Sequence, residues 1–186
     1  MAKMKLKVFI TEYNVKNKNN ASYPVYSVTN SNGFCTEYFN KDVSSQDKRL
    51  YKIVPRGCFA YNPSRINVGS IDWQKFEDNV IVSPLYVVFK TSNKIDQEYL
   101  KYFFRSTYGK KLINFSVSGS VRANLKFDVL SEFLINVKTL DEQKIVAQNL
   151  NTIETIIKSE QKQLNLYDEL IKSRFICQEV FVCKQS

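Results

Sequence analysis

The chain has 186 residues, 44% of them hydrophobic and 13% aromatic, which is enough for one packed domain with an appendage and favours strands or binding surfaces over a plain helical bundle. Lys and Arg number 27 against 18 Asp and Glu, a net charge of +9, and there is no histidine. The missing histidine excludes Ser-His and Cys-His dyads. Together with scattered cysteines (Cys35, Cys58, Cys177, Cys183) and no CxxC, it argues against zinc.

The first 15 residues hold no apolar run long enough for a signal peptide or a membrane span, so the expected location is a reducing cytoplasm with free thiols. They read as a frayed strand or arm, followed by the polar loop Lys16–Asn20. Tyr23–Val28 alternates and predicts a strand, Thr29–Gly33 a turn, and Phe34–Phe39 its hairpin partner. Leu50–Val54 is a further strand, stopped by Pro55-Arg56-Gly57. Cys58–Tyr61 continues the β pattern into the loop Asn62-Pro63-Ser64-Arg65. Val80–Val82 and Leu85–Phe89 predict buried strands around Ser83-Pro84. Asp96 caps a predicted helix that runs toward Tyr108 and stops at Gly109. A polar loop at Ser116–Ser120, a short helix at Phe127–Glu132 and a strand at Phe133–Val137 close the domain.

From Leu140 onward the pattern is continuously helical. Thr139 followed by Glu142 fits a capping box. Val146, Leu150, Ile153, Ile157, Leu164, Tyr167 and Ile171 form a heptad seam, with Glu160 in the vacant slot. A helix from Asp141 to Phe175 is roughly 52 Å long at ~1.5 Å per residue. Such a helix needs another helix along much of its seam, unless it folds back on its own domain. The fold class is therefore α+β, with a mixed domain over 1–139 and a long coiled-coil-type helix over 140–186.

The charge divides along the same line. Residues 1–140 carry 21 basic and 11 acidic groups, a net of +10, whereas residues 141–186 carry 6 and 7, a net of −1. The two segments are expected to meet different partners, the first a nucleic acid.

Catalytic motifs are missing. Asn62-Pro63-Ser64-Arg65 departs from the Asn/Asp-Pro-Pro-Tyr/Phe of adenine methyltransferases, and no GxGxxG or GxxxxGK occurs. Glu142-Gln143-Lys144 has the ExK spacing of metal-dependent nucleases, with Asp128 upstream, but acidic residues are favoured in a first helical turn for capping alone. No metal, cofactor or catalytic residue is expected. Two clusters do suit nucleic acid. One holds Lys52, Arg56, Tyr61, Asn62, Ser64, Arg65 and Asn67; the other holds Lys110, Lys111, Ser118, Ser120, Arg122, Asn124 and Lys126. Arg can bond guanine O6 and N7 together, Asn can bond adenine N6 and N7, and Ser and Lys position the phosphates.

Several segments also resemble a known family. Ser118–Leu125 is similar to the G…R.NL segment that ends a target recognition domain in Type I restriction–modification specificity subunits. Leu140–Val146 resembles their PL.EQ..I entry to a conserved helix, Leu150–Glu154 the L..ID that follows, and Leu170–Phe175 the L..S.F close. Tyr51–Val54, Phe59–Pro63 and Ser83–Tyr86 are similar to members of the group as well. Thr139 departs from the proline often found there, and the chain carries one domain and one helix where the usual subunit has two of each.

The resemblance implies a non-catalytic subunit. Its domain reads one half of a split site in double-stranded DNA. Its helix docks methyltransferase subunits, which bring S-adenosylmethionine and methylate adenine, and a motor-nuclease restriction subunit joins them. One domain and one helix further imply a homodimer through Leu150, Ile153, Ile157, Leu164, Tyr167 and Ile171, and hence a palindromic site. The competing readings are a coiled-coil adaptor that binds no DNA and a nuclease using Glu142 and Lys144.

Overall fold

In the computed structural model, which describes residues 2–36, 47–118 and 124–182, the chain divides into an N-terminal unit, 1–144, and a helical unit, 145–186. The first unit begins with β1 (Ala2–Lys5), a 3-10 turn (Leu6–Val8) and β2 (Ile10–Glu12). There follow the hairpin β3 (Ser27–Thr29) and β4 (Gly33–Cys35), then β5 (Lys52–Pro55) and β6 (Phe59–Tyr61). A second 3-10 turn (Ile66–Val68) leads to β7 (Ile71–Trp73), β8 (Asn79–Val82) and β9 (Val87–Thr91). Helices α1 (Gln97–Arg105), α2 (Thr107–Ser118) and α3 (Phe127–Ser131) precede β10 (Leu134–Val137).

Side-chain alternation on two strands organises this unit. The central antiparallel sheet runs β2-β9-β6-β7, with Phe59 opposite Phe89 on one side and Trp73 on the other. From β6, Phe59 and Tyr61 enter one core together with Phe89, Leu100, Phe104 and Ile113, which come from β9, α1 and α2. Cys58 and Ala60 point the other way, into a second core with Val28, Val54, Val80, Val82 and Val88. The Phe59 and Phe89 rings stack 4.9 Å apart, with Phe104 edge-on to both. Each such side chain contributes about 1.5–3 kcal/mol on burial. The second core is closed by the pairs β5-β8 and β3-β4, and β1 pairs with β10.

Most predicted elements are present, with altered bounds. The strand expected over Tyr23–Val28 is confined to Ser27–Thr29, while Val25 bridges Ile81 singly. Its hairpin partner is Gly33–Cys35, and the expected continuation to Phe39 lies outside the described residues. The arm at the N-terminus is two paired strands, and β7 was not anticipated.

The clearest correction concerns Gly109, which does not end a helix. Helix α1 stops at Arg105, and Gly109 sits in the first turn of α2. A Cβ there would collide with the Phe103 carbonyl and crowd the Phe104 backbone, so glycine permits close approach of the two helices. Ser106 makes the junction: its hydroxyl donates to the Phe103 carbonyl at 2.7 Å and accepts from the Gly109 N–H at 3.0 Å. Residues 116–118, expected in a loop, complete α2.

Helix α4 (Leu140–Val182) spans 43 residues, about 64 Å at ~1.5 Å per residue. No Gly or Pro interrupts it. The capping box forms as expected. The Thr139 N–H and hydroxyl donate to Glu142 Oε2 at 2.9 and 3.0 Å, and the Glu142 N–H donates to Thr139 Oγ1 at 3.3 Å. These bonds from Thr139 hold the Glu142 carboxyl below its ordinary range. Gln143, one residue on, is buried in the N-terminal unit. Its Oε1 accepts from the Asp96 N–H at 2.9 Å, and its amide donates to the Lys138 and Lys94 carbonyls at 3.0 and 3.2 Å.

Within the helical unit, Ile153, Ile157, Leu164, Tyr167 and Ile171 are each more than half exposed, and Leu150 is partly covered. Ile156, Leu166 and Leu170 are also more than half exposed. At ~100° per residue, Leu166 and Leu170 lie roughly 110–150° round the helix from the seam. The apolar face is therefore wider than one coiled-coil partner covers.

Candidate nucleic-acid interface

The two polar clusters read from the sequence separate in the structure into side chains that build the surface and side chains that present it. Lys52 builds. Its ammonium donates to the Tyr86 carbonyl at 2.7 Å, and burial pushes its pKa down, opposed by Glu12 and reinforced by Lys16. Arg56 lies in the β5–β6 turn, where it pairs with Asp78 at 3.2 Å and donates to the Phe76 carbonyl at 3.0 Å. That turn is at the opposite end of β6 from Asn62, so the first cluster is not one patch.

Tyr61 was expected at the DNA surface and is instead fully buried. Alternation on β6 turns its ring into the core, and burial pushes the phenol far up. Its hydroxyl donates to the Leu125 carbonyl at 3.1 Å. The Leu125 N–H donates to the Pro63 carbonyl at 3.2 Å, so these two bonds join the 62–65 loop to residues 124–126. Tyr61→Phe is expected to cost about 1 kcal/mol, and more if the carbonyl stays dry. A urea titration reads this as a lower midpoint with an unchanged slope, and an unchanged midpoint would remove the bond from the account.

The 62–70 loop is held by internal hydrogen bonds and exposed at its tip. Asn62 Oδ1 accepts from the Ser64 N–H at 3.1 Å, and the Asn62 carbonyl accepts from the Arg65 N–H at 3.0 Å. Asn62 therefore shapes the turn. Ile66 anchors the loop in the core, leaving Ser64, Arg65 and Asn67 on the outside. With the β3–β4 hairpin, the loop borders an open concavity of about 400 Å³ whose lining, among the described residues, includes Thr29, Asn30, Ser64, Arg65 and Asn67 and no carboxylate. A neighbouring hollow of about 340 Å³, bounded by Pro63 and Asn124–Asp128, contains the carboxylates Glu12 and Asp128 beside Lys126.

Of the second cluster, Lys110 and Lys111 are exposed on α2, which packs on the 66–68 turn through its other face. Asn124 is exposed beside buried Leu125. Ser118 ends α2, and Ser120 and Arg122 lie outside the described residues. Asn30 escaped the sequence reading because it sits in a turn whose Asn and Gly content explains itself.

Among the described residues, no group of three or more Asp, Glu or Cys could hold a metal ion, and no helix is long and apolar enough to cross a membrane. Cys35 and Cys58 are free thiols, and burial pushes the Cys58 thiol up to about 11.

A family model for the Type I restriction modification DNA specificity domain matches residues 4–166. The chain belongs to this family. It is 33% identical over 76 residues to the Type I restriction enzyme MjaVIII specificity subunit of Methanocaldococcus jannaschii, a stretch covering 41% of this chain and 18% of that protein. The fold is similar to two solved specificity subunits. One is the S subunit of a Type I restriction–modification system from M. genitalium, with TM-score 0.56 and 12% identity over 88% of this chain and 41% of that one. The other is the HsdS subunit from Thermoanaerobacter tengcongensis, with TM-score 0.55 and 14% identity over 85% and 38%. The chain thus spans about two fifths of the length of these solved specificity subunits.

Proposed function

We propose that this chain reads one half of a split DNA sequence and carries no catalytic centre. The observation that carries the reading is that a DNA specificity domain match covers most of a chain whose charge excess lies wholly within residues 1–140. The exposed basic and amide groups on the 62–70 loop and α2 supply what DNA recognition needs: donors for phosphates and forked groups for base edges.

Methyltransferase subunits, docked on α4, supply S-adenosylmethionine and methylate adenine, and a motor-nuclease subunit restricts unmethylated sites. The compartment is the cytoplasm. Two copies pair through α4, since the stripe from Ile153 to Ile171 is more than half exposed in one copy. The two-fold axis makes the recognised site a palindrome of two identical half-sites around an unread spacer.

Copurification from the native host, followed by mapping of methylated adenines, tests this. The expected result is a methyltransferase subunit in the complex and one palindromic methylated motif. A complex without methyltransferase and without bound DNA would favour the adaptor reading. An asymmetric motif would overturn the homodimer while leaving half-site recognition in place. Within the site, Arg65→Ala is expected to relax the motif and Lys111→Ala to weaken binding to all sequences alike. An unchanged motif in Arg65→Ala removes that side chain from the readers.

A further inference from the structure

We infer that the tip of the β3–β4 hairpin reads bases together with the 62–70 loop, through the paired amides Asn30 and Asn67. This rests on the DNA-reading role proposed above. Both side chains are exposed, and both line the concavity that also holds Arg65.

The hairpin is fixed to the loop at two points. The Ser70 hydroxyl donates to the Val28 carbonyl. Asn30 lies against the backbone of Gly69, which has φ +93°, so that a Cβ there would collide with the Asn30 amide. Within the loop the Val68 N–H donates to the Arg65 carbonyl, the Gly69 N–H to that of Ile66, and the Asn62 N–H to that of Ser70. Two forked donor–acceptor groups are thereby carried at the surface on a hydrogen-bonded backbone. An amide of this kind can pair with adenine N6 and N7 together, whereas a carboxylate in its place accepts from cytosine N4. Gly69 is a positioning residue: its bare backbone gives Asn30 its place.

The test is selection from a randomised duplex library, using the full chain in the complex in which it copurifies. The variants are Asn30→Asp, Asn67→Asp and Gly69→Ala. The wild type is expected to enrich adenine at distinct positions of each half-site. Each Asp variant should move one of those positions toward cytosine, a change in relative preference of roughly 10- to 100-fold, with its unfolding midpoint unchanged. Gly69→Ala should blur the position that depends on Asn30 and leave that of Asn67. In an Asn30→Ala background it should change nothing further. If Gly69→Ala fails to fold, the two Asp variants decide. Both Asp variants retaining the wild-type motif would overturn this inference alone. So would an equal loss of affinity for every duplex, which would place the amides against phosphate. A wild-type chain that enriches no motif would overturn the DNA-reading role itself.

Discussion

In the proposed dimer, Ile157→Asp combined with Leu164→Asp is expected to leave monomers and to abolish recognition of the split site. Both side chains are more than half exposed in one copy and lie in the heptad seam. A two-fold interface meets each change twice, so four apolar contacts are lost. At about 1.5–3 kcal/mol per buried side chain the dissociation constant rises at least ~10,000-fold, before the cost of burying a carboxylate. Sedimentation should show half the mass at micromolar concentration, and methylation of paired half-sites should disappear. The unfolding free energy of the 1–144 unit should stay within ~0.5 kcal/mol of the parent, as is usual for surface changes. An unchanged sedimentation profile would show that the seam serves some other contact. Leu166 and Leu170, on the flank away from the seam, are the natural positions for a comparison pair.

The second large effect is expected at Gln143. Replacement by Leu keeps the bulk but strands the Asp96 N–H and the Lys94 and Lys138 carbonyls. An unpaired group kept from water costs about 1–3 kcal/mol; Asp96 and Lys138 are half-buried and Lys94 is exposed, so a loss of at least ~1 kcal/mol is expected. Asp96 also caps α1 by accepting from the Tyr99 N–H at 2.9 Å, so the damage should spread into that helix. Hydrogen exchange should show the Asp96 amide losing its protection first. Gln143→Glu keeps the acceptor for Asp96 but sets a carboxylate against two carbonyls, and should destabilise at least as much. An unfolding free energy within ~0.5 kcal/mol of the parent in both variants would contradict the network.

These three bonds explain a residue that the sequence could flag only by resemblance. The Glu142-Gln143 pair matched a family pattern. Glu142 is intelligible from one dimension, because a capping box is local and its partner, Thr139, is three residues away. Gln143 is not, because two of its partners lie 47 and 49 residues back. The same contrast runs through the fold. The long helix, the capped start of α1 and most strands of the two cores, β7 excepted, were legible, since each rests on periodicity or on a neighbour's side chain.

Gly109 misled because glycine in a helical pattern ordinarily marks an end. Here the deciding fact is the proximity of the α1 backbone. The candidate site was legible in composition and not in geometry. Ser64, Arg65, Asn67, Lys110, Lys111 and Asn124 are exposed, as a binding surface requires. Tyr61 is not, because three-residue β6 alternates between two cores and its polar tip serves the Leu125 carbonyl. Lys52 and Arg56 are spent on neighbouring carbonyls and on Asp78.

The most direct test of DNA reading by the 1–144 unit is a titration of labelled duplexes with the full chain and the proposed methyltransferase partner, at salt concentrations from about 50 to 200 mM. One duplex should carry the methylated motif and the other a scrambled sequence of equal length. The expected result is a linear fall of log affinity with log salt on both, with a slope of about −0.9 for each phosphate contacted. The motif should bind at least ~1000-fold more tightly than the scramble throughout. Equal affinity for the two duplexes, or an affinity that does not change with salt, would contradict it.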